Sequence, residues 1–261
     1  MITVRDIYNE IDRLIPFSSK ESWDNCGMLA GDFYGEVTKI ITALDITREV
    51  IREAEEKGAE LIISHHPVIF SPLKAVSADT PVGMLMSKGI SAICTHTPFD
   101  MSPLGMNKGL YDLLRGPLGL MPCPVPLDDM GEGRAVGMIY ELESPISTRE
   151  AAQRAKEALG CTCVRFCGDS TIKRIAISSG SGNGFVSLAA QKGADALLSG
   201  DLKHDSFVDS QSIDGISLID CGHFHTERIF CPIMKNILSE AFPTLDIMEA
   251  QSCTDPVQYI I

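Results

Sequence analysis

The chain has 261 residues, 44% of them apolar, with 22 basic against 35 acidic residues and a formal net charge of −13. That size and ordinary globular composition suit one large domain or two modest ones. The acidic balance argues against electrostatic binding to nucleic acid or to an anionic membrane. An anionic ligand would need local positive charge, which bound divalent cations can supply. No uncharged apolar run approaches the roughly 18 residues of a membrane span, and the mixed opening Met1–Asp6 does not read as a signal peptide. The nine cysteines form no regular framework, which is the usage expected in a reducing cytoplasm.

In chain order, the first residues lead into a helix-like pattern. Trp23-Asp24-Asn25-Cys26-Gly27 holds the only tryptophan and reads as a turn anchored by a buried aromatic. Lys39–Asp45 reads as a strand, the stretch to Lys57 as a helix stopped by Gly58, and Leu61–Ser64 as a second strand. His65-His66-Pro67 follows at once. Neighbours in extended chain point to opposite sides, so this pair suits two adjacent ions, one histidine each. Gly89–His96 is a further buried-strand pattern ending on a histidine, and Asp100 stands four positions later.

Residues 116–126, rich in Gly and Pro, fit neither a regular helix nor a central strand. The expected division is residues 1–115 with 225–261 in a first α/β subdomain, 124–224 in a second, and 116–123 as linker. Cys161, Cys163 and Cys167 match no metal-binding spacing and read as packing residues in a strand-like segment. Arg174–Gly180 is a strand running into the glycine-rich Ser178–Gly184. That loop is a plain strand-to-helix turn or, less simply, an anion cradle without the Lys-Ser/Thr ending of a phosphate loop. A helix to Lys192, Gly193 and the strand Ala196–Ser199 follow. His204 either orients a substrate phosphate beside Lys203 or opens a surface helix capped by Asp201. Gly215–His223 is the last strand pattern, and Glu227 stands four after His223.

The segment from Lys39 to Ser64 overlays the segment from Arg174 to Ser199 without a gap, at a constant offset of 135 residues. Each reads strand, helix, glycine, strand, the unit that favours parallel pairing. The fold expected is therefore α/β: two similar α/β subdomains with mixed, largely parallel sheets. Ligands in such sheets gather beyond the carboxyl ends of the strands, where all six histidines fall. Imidazole is the commonest metal ligand. The four-residue spacing puts His96 with Asp100, and His223 with Glu227, on one face if either pair is helical. His225 then points elsewhere and suits an acid/base or supporting role.

Taken in order, Trp23-Asp24-Asn25-x-Gly27, Ser64-His65-His66-Pro67-x-x-Phe70, His96-Thr97-x-x-Asp100, Ser199-Gly200-Asp201 with His204-Asp205, and Gly222-His223-Phe224-x-Thr226-Glu227 resemble the NIF-three-like family across essentially the whole chain. Its members are dinuclear-metal, ring-hexamer proteins often catalogued as type 2 GTP cyclohydrolase I or its homologues. The resemblance is to the short form, without the inserted domain of longer members. It implies two metal ions, with His65 and His66 each on a different one, Asp100 joining one, His223 the other, and Glu227 bridging. It also implies a site in the cleft between the halves and a homohexameric toroid of trimers. Pro98-Phe99 departs from the Asn-Leu common in the family, and Met101–Gly105 is less glycine-rich, which alters the pocket wall without removing a ligand.

Two functions follow as expectations. One is a metal-dependent hydrolase of a nucleotide or another phosphorylated small molecule, using zinc, iron or manganese, with His225, His204 or His96 moving a proton. The other is a metal-binding ring that regulates or scaffolds without turnover.

Overall fold

The computed structural model describes residues 1–260, with residues 213 and 214 in backbone only. Its elements begin with α1 (Val4–Leu14), β1 (Gly27–Ala30), β2 (Lys39–Ala43), α2 (Arg48–Lys57), β3 (Leu61–Ser64), α3 (Pro81–Lys88), β4 (Ser91–Cys94) and α4 (His96–Met101). There follow α5 (Met106–Leu118), β5 (Val125–Gly131), β6 (Arg134–Ser147), α6 (Thr148–Leu159), β7 (Arg165–Cys167), β8 (Thr171–Ser181) and α7 (Val186–Gln191). The chain closes with β9 (Ala196–Gly200), α8 (His204–Asp209), β10 (Ser217–Asp220), α9 (His223–Glu227), α10 (Phe230–Ala241) and β11 (Asp246–Glu249). Among the described residues no helix is long and apolar enough to cross a membrane.

Two compact units result, one of residues 1–99 with 230–254 and one of residues 100–229 with 255–261. The first holds a five-stranded sheet in the order β1-β4-β3-β2-β11, parallel except where β1 runs against β4. Its inner strands β2, β3 and β4 are buried almost throughout on both faces, as their unbroken apolar runs require. Ile41, Ala43 and Ile62 pack with Val50, Ile51 and Ala54 of α2 and Leu85 of α3. Thr42, between Ile41 and Ala43, donates instead to the Cys231 carbonyl of α10 at 3.2 Å. Thr47 caps α2 by accepting from the Val50 amide, and Gly58 ends it in the left-handed region at φ 68°, the stop that the sequence indicates.

The second unit holds a six-stranded sheet in the order β5-β6-β8-β9-β10-β7, with a parallel centre of β8, β9 and β10 and antiparallel flanks. Ala176, Leu197 and Leu218 pack with Val186 and Ala189 of α7. Helix α5 belongs to this unit rather than to the first, where the expected boundary at residue 115 would leave it. Its buried stripe of Met106, Leu110, Leu114 and Leu118 has helical period, Tyr111 stacks on Tyr140 at 5.4 Å, and Asn107 donates to the Ala135 carbonyl at 2.8 Å. The expected linker is also partly regular. Pro117 sits in the last turn of α5, where Arg154 donates to its carbonyl at 3.0 Å, and Pro126 is tolerated because β5 is an edge strand.

The duplication extends to hydrogen bonding. Ile40 faces Leu61 in the first sheet, and Ile175 faces Ala196 in the second. Glu60 accepts from the Thr38 and Lys39 amides at 3.0 and 2.9 Å; Asp195, 135 positions on, accepts from Lys173 and Arg174 at 2.8 and 2.9 Å. Likewise Leu61 faces Ser91 and Ala196 faces Ser217. That last register sets Thr97, not His96, at the place of His223, so the downstream echo is shifted by one residue.

In the first unit the segment after β11 is fastened by Glu53 of α2. Its carboxylate accepts from the amides of Gln251 and Ser252 at 3.0 and 2.8 Å, from the Ser252 hydroxyl at 2.6 Å, and pairs with Lys57 at 2.5 Å. Burial alone would push its pKa up, but Lys57 and these donors outweigh it and hold the group at about 2. A carboxyl held below its ordinary 4.5 stabilises the fold above that pH and loses the contribution as pH falls toward 2. Glu53→Gln is therefore expected to cost about 2 kcal/mol at neutral pH, with the gap to the parent closing between those two pH values. Urea denaturation across that range measures it, and a gap that does not change with pH would contradict the assignment.

Candidate metal centre

In the first unit the histidines leave the carboxyl ends of β3 and β4. The amides of His65 and His66 still bond to the Ala43 and Leu44 carbonyls at 3.2 and 2.9 Å, continuing the pairing with β2. The chain bends there, and Ser64 Oγ closes the bend by donating to the His66 carbonyl at 2.7 Å. The two rings consequently do not diverge as an extended chain would have them. Their centroids lie 5.0 Å apart, and that of His96 is 5.3 Å from His65 and 5.6 Å from His66. One ring nitrogen from each of the three lies within 4.8 Å of the others, close enough to share a cation. The sequence reading kept His96 outside the ligand set; its position beside His65 and His66 gives it ligand geometry as well. His65 is fully buried and packs on Phe230 at 5.4 Å and Phe99 at 6.3 Å.

Carboxylates fix these rings. Asp45, just past β2, holds His66 Nδ1 at 2.8 Å, and Asp24 holds His96 Nδ1 at 2.8 Å. Asp24 is buried and also accepts from the Thr97 amide and hydroxyl at 3.1 and 2.5 Å, which ties down the start of α4. Burial opposes its ionisation, yet His96 and Thr97 outweigh that and hold the carboxyl at about 2. The tryptophan beside it is not the buried anchor that the sequence suggests. Trp23 is 57% exposed, and Asp24 is the residue that anchors the turn.

In the second unit the four-residue spacing in α9 does what helical geometry predicts: His223 Nε2 meets Glu227 Oε2 at 2.9 Å. Glu227 is buried, so α9 is no ordinary exposed helix start. Asp201, just past β9, holds His223 Nδ1 at 2.7 Å. Burial works against the charged ring of His223, but Glu227 and Asp201 outweigh it and raise its pKa to about 9. Asp100, fourth after His96 along α4, accepts from Ser179 Oγ at 3.3 Å. His225 has a different carboxylate partner from His223. It is buried, with Nε2 at 3.4 Å from Asp255 Oδ2, and burial pushes its pKa down. His204 is exposed at the start of α8, and Asp201 does not cap that helix because its carboxylate is committed to His223.

The glycine-rich segment is part of this unit's site by exclusion of bulk. Gly180 has φ 57°, its amide donates to Thr226 Oγ1 at 3.0 Å, and a Cβ there would lie 2.0 Å from Glu227 Oε1. The loop is thus a close-packing turn that lets Glu227 and His223 approach the backbone. Cys161 and Cys163 lie in a loop after α6 rather than in a strand, with Cys161 donating to the Cys221 carbonyl at 3.3 Å, and all nine cysteines are free thiols.

The donor chemistry suits a borderline divalent cation: imidazoles whose second nitrogen is held by a carboxylate, with further carboxylates beside them. Asp45, Asp24 and Asp201 are the residues that the sequence reading missed as site components. Asp45→Ala is expected to weaken metal binding roughly 10- to 100-fold while leaving the fold intact, as read by chelator competition and circular dichroism. Gly180→Ala should cost about 2 kcal/mol or more, because both its φ and its clash with Glu227 oppose a methyl group. An unchanged thermal midpoint would contradict this packing.

A sequence model described as Duf34/NIF3 (NGG1p interacting factor 3) matches residues 2–256. A Clostridium perfringens protein named GTP cyclohydrolase 1 type 2 homolog is 32% identical over 264 aligned positions, covering 98% of this chain and 99% of that protein. A Staphylococcus aureus protein of the same name is 29% identical over 370 positions, covering 98% of this chain and 100% of that protein, so the longer relative carries sequence that this chain lacks. Among solved structures, Staphylococcus aureus hypothetical protein SA1388 superposes with a TM-score of 0.89 at 32% identity, over 99% of both chains.

Proposed function

Because the chain belongs to the Duf34/NIF3 family, we propose that it binds two divalent cations and acts as a metal-dependent hydrolase on a nucleotide or another phosphorylated small molecule. The observation that carries this reading is the threefold pairing of imidazole Nδ1 with a carboxylate: His66 with Asp45, His96 with Asp24 and His223 with Asp201. Such pairing fixes the tautomer and sets the direction of Nε2, an arrangement typical of histidines that bind metal.

In this proposal His65 and His66 each serve one of the two cations. Asp100 would join one, His223 the other, and Glu227 would be shared by the two. Zinc, iron or manganese suits that mixed set. When bound, such cations polarise a substrate oxygen and acidify a coordinated water. The remaining work falls to the chain's own side chains. His96 is held by Asp24 through Nδ1, which leaves its other ring nitrogen as the atom that would take or give a proton. His225, buried beside Asp255, is the second proton-handling group. His204, exposed on α8, meets only the outer part of a substrate.

The name carried by the relatives makes ring-opening of a purine nucleotide one member of the substrate class to test. The ring-shaped homohexamer implied by the sequence resemblance is part of the same proposal, and native mass spectrometry reading six chains would support it. Metal-loaded protein incubated with a panel of nucleotides and phosphoesters is expected to turn over at least one of them. The rate should fall by roughly a hundredfold or more in His65→Ala or Glu227→Ala. No turnover above those variants, with metal content and assembly intact in the parent, would discard the hydrolase in favour of a metal-binding ring that regulates or scaffolds.

A further inference from the structure

We propose that Trp23 and Phe70 form an aromatic shelf that receives the planar heteroaromatic ring of a small-molecule substrate beside the His65–His66–His96 group. The inference rests on the reading of that group as the working site and names the part of the substrate that the chain would grip there.

Two large rings stand open at this point of the first unit, Trp23 at 57% and Phe70 at 54% exposure. A single exposed aromatic needs no explanation, but these two are neighbours across 47 residues of chain, with centroids 6.0 Å apart and planes tilted by 40°. Both lie edge-on to the same imidazole: Trp23 to His96 at 5.8 Å and 78°, Phe70 to His96 at 6.4 Å and 76°. His96 is itself within ligand distance of His65 and His66. The apolar faces therefore adjoin the polar centre directly.

The shelf is also held in place before anything binds. Asn25 Nδ2 donates to the Ile69 carbonyl at 2.6 Å, which ties the Phe70 loop to the Trp23 loop. Asp24 ties the Trp23 loop to His96 and Thr97, and the Glu21 amide bonds to Thr97 Oγ1 at 3.1 Å. These bonds fix the backbone from which both rings project. Exposed apolar area of this size is unfavourable by itself, and a fixed position beside a polar centre is the arrangement that lowers the ordering cost of binding.

The geometry limits the occupant. At 6.0 Å the two rings already touch, and a flat ring slipped between them would need about 7 Å between parallel faces. The substrate ring must lie over the open faces instead, with its substituents directed at the imidazoles. Stacking of this kind accepts any flat π system, and nucleobases are the metabolite rings that combine such a face with a phosphate for the cations.

The chain's single tryptophan makes the test direct, since all indole fluorescence reports on the shelf. Metal-loaded full-length protein is titrated with guanosine, guanosine 5′-monophosphate and ribose 5-phosphate, with calorimetry in parallel. Saturable quenching by the two base-bearing probes and none by ribose 5-phosphate is expected. Phe70→Ala should weaken the base-bearing probes by roughly tenfold or more, leave ribose 5-phosphate and metal content unchanged, and be rescued by Phe70→Tyr. Absence of quenching by any base-bearing probe, or equal affinity in Phe70→Ala, overturns the shelf. So does a Trp23→Ala variant that loses its native assembly while nucleotide affinity is kept, since the rings would then be an interface with a second copy. Quenching without turnover would instead count against the hydrolase reading and leave the shelf standing.

Discussion

Everything proposed for this chain depends on a bond between an imidazole Nδ1 and a carboxylate that the backbone has put in the right place. Asp45 and Asp201 each stand directly beyond a parallel strand, and Asp24 stands on the turn before β1. A histidine left to itself at a strand end samples several rotamers and either tautomer. Held at 2.7 to 2.8 Å by a carboxylate, it presents one nitrogen in one direction. The cost of burying Asp24 is offset by the three groups that bond to it, all of which belong to the first turn of α4. The same contact that orients the ring thus starts the helix that carries it.

The sheets supply the fixed points for these pairs. In both, the residue that precedes an inner strand accepts two backbone amides from the neighbouring strand, through Glu60 in one unit and Asp195 in the other. A carboxylate in that position pins register at the amino ends of the strands. Because side chains alternate in direction, a slip of one residue would turn each strand over and send the site residues to the wrong side. Register is therefore a functional quantity here, and its clamps lie at the opposite end of the strands from the histidines. Within the second unit, Gly180 extends the same logic to bulk: backbone without a side chain is what lets Glu227 come close.

Much of this was legible in the sequence, for reasons that are local. The 135-residue repeat announced the strand–helix–strand units, glycine stops announced helix ends, and the spacing of His223 and Glu227 announced a shared helical face. What escaped was set by contacts between distant positions. Nothing near Asp24 in the sequence says that it meets His96, 72 residues away, or near Asp201 that it meets His223. His65 and His66 read as divergent because an extended chain was assumed where Ser64 closes a bend. Trp23 read as buried because aromatics in turns usually are, whereas here the buried anchor is the aspartate next to it. Helix α5 was given to the wrong half because Pro117 looked like a break, although a proline in a last turn interrupts little and the apolar stripe before it has its partners in the second sheet.

At equivalent stations of the duplicated framework, His66 has as its counterpart Asp201, 135 positions later. One copy of the backbone therefore displays a ring where the other displays the acid that steers a ring. The halves have kept a common skeleton while dividing labour at its tips, so neither can stand in for the other. A chimera built from two first halves would lack both His223 and the Asp201 that steers it, so the difference between the two related frameworks, rather than either framework, completes the set of steered rings.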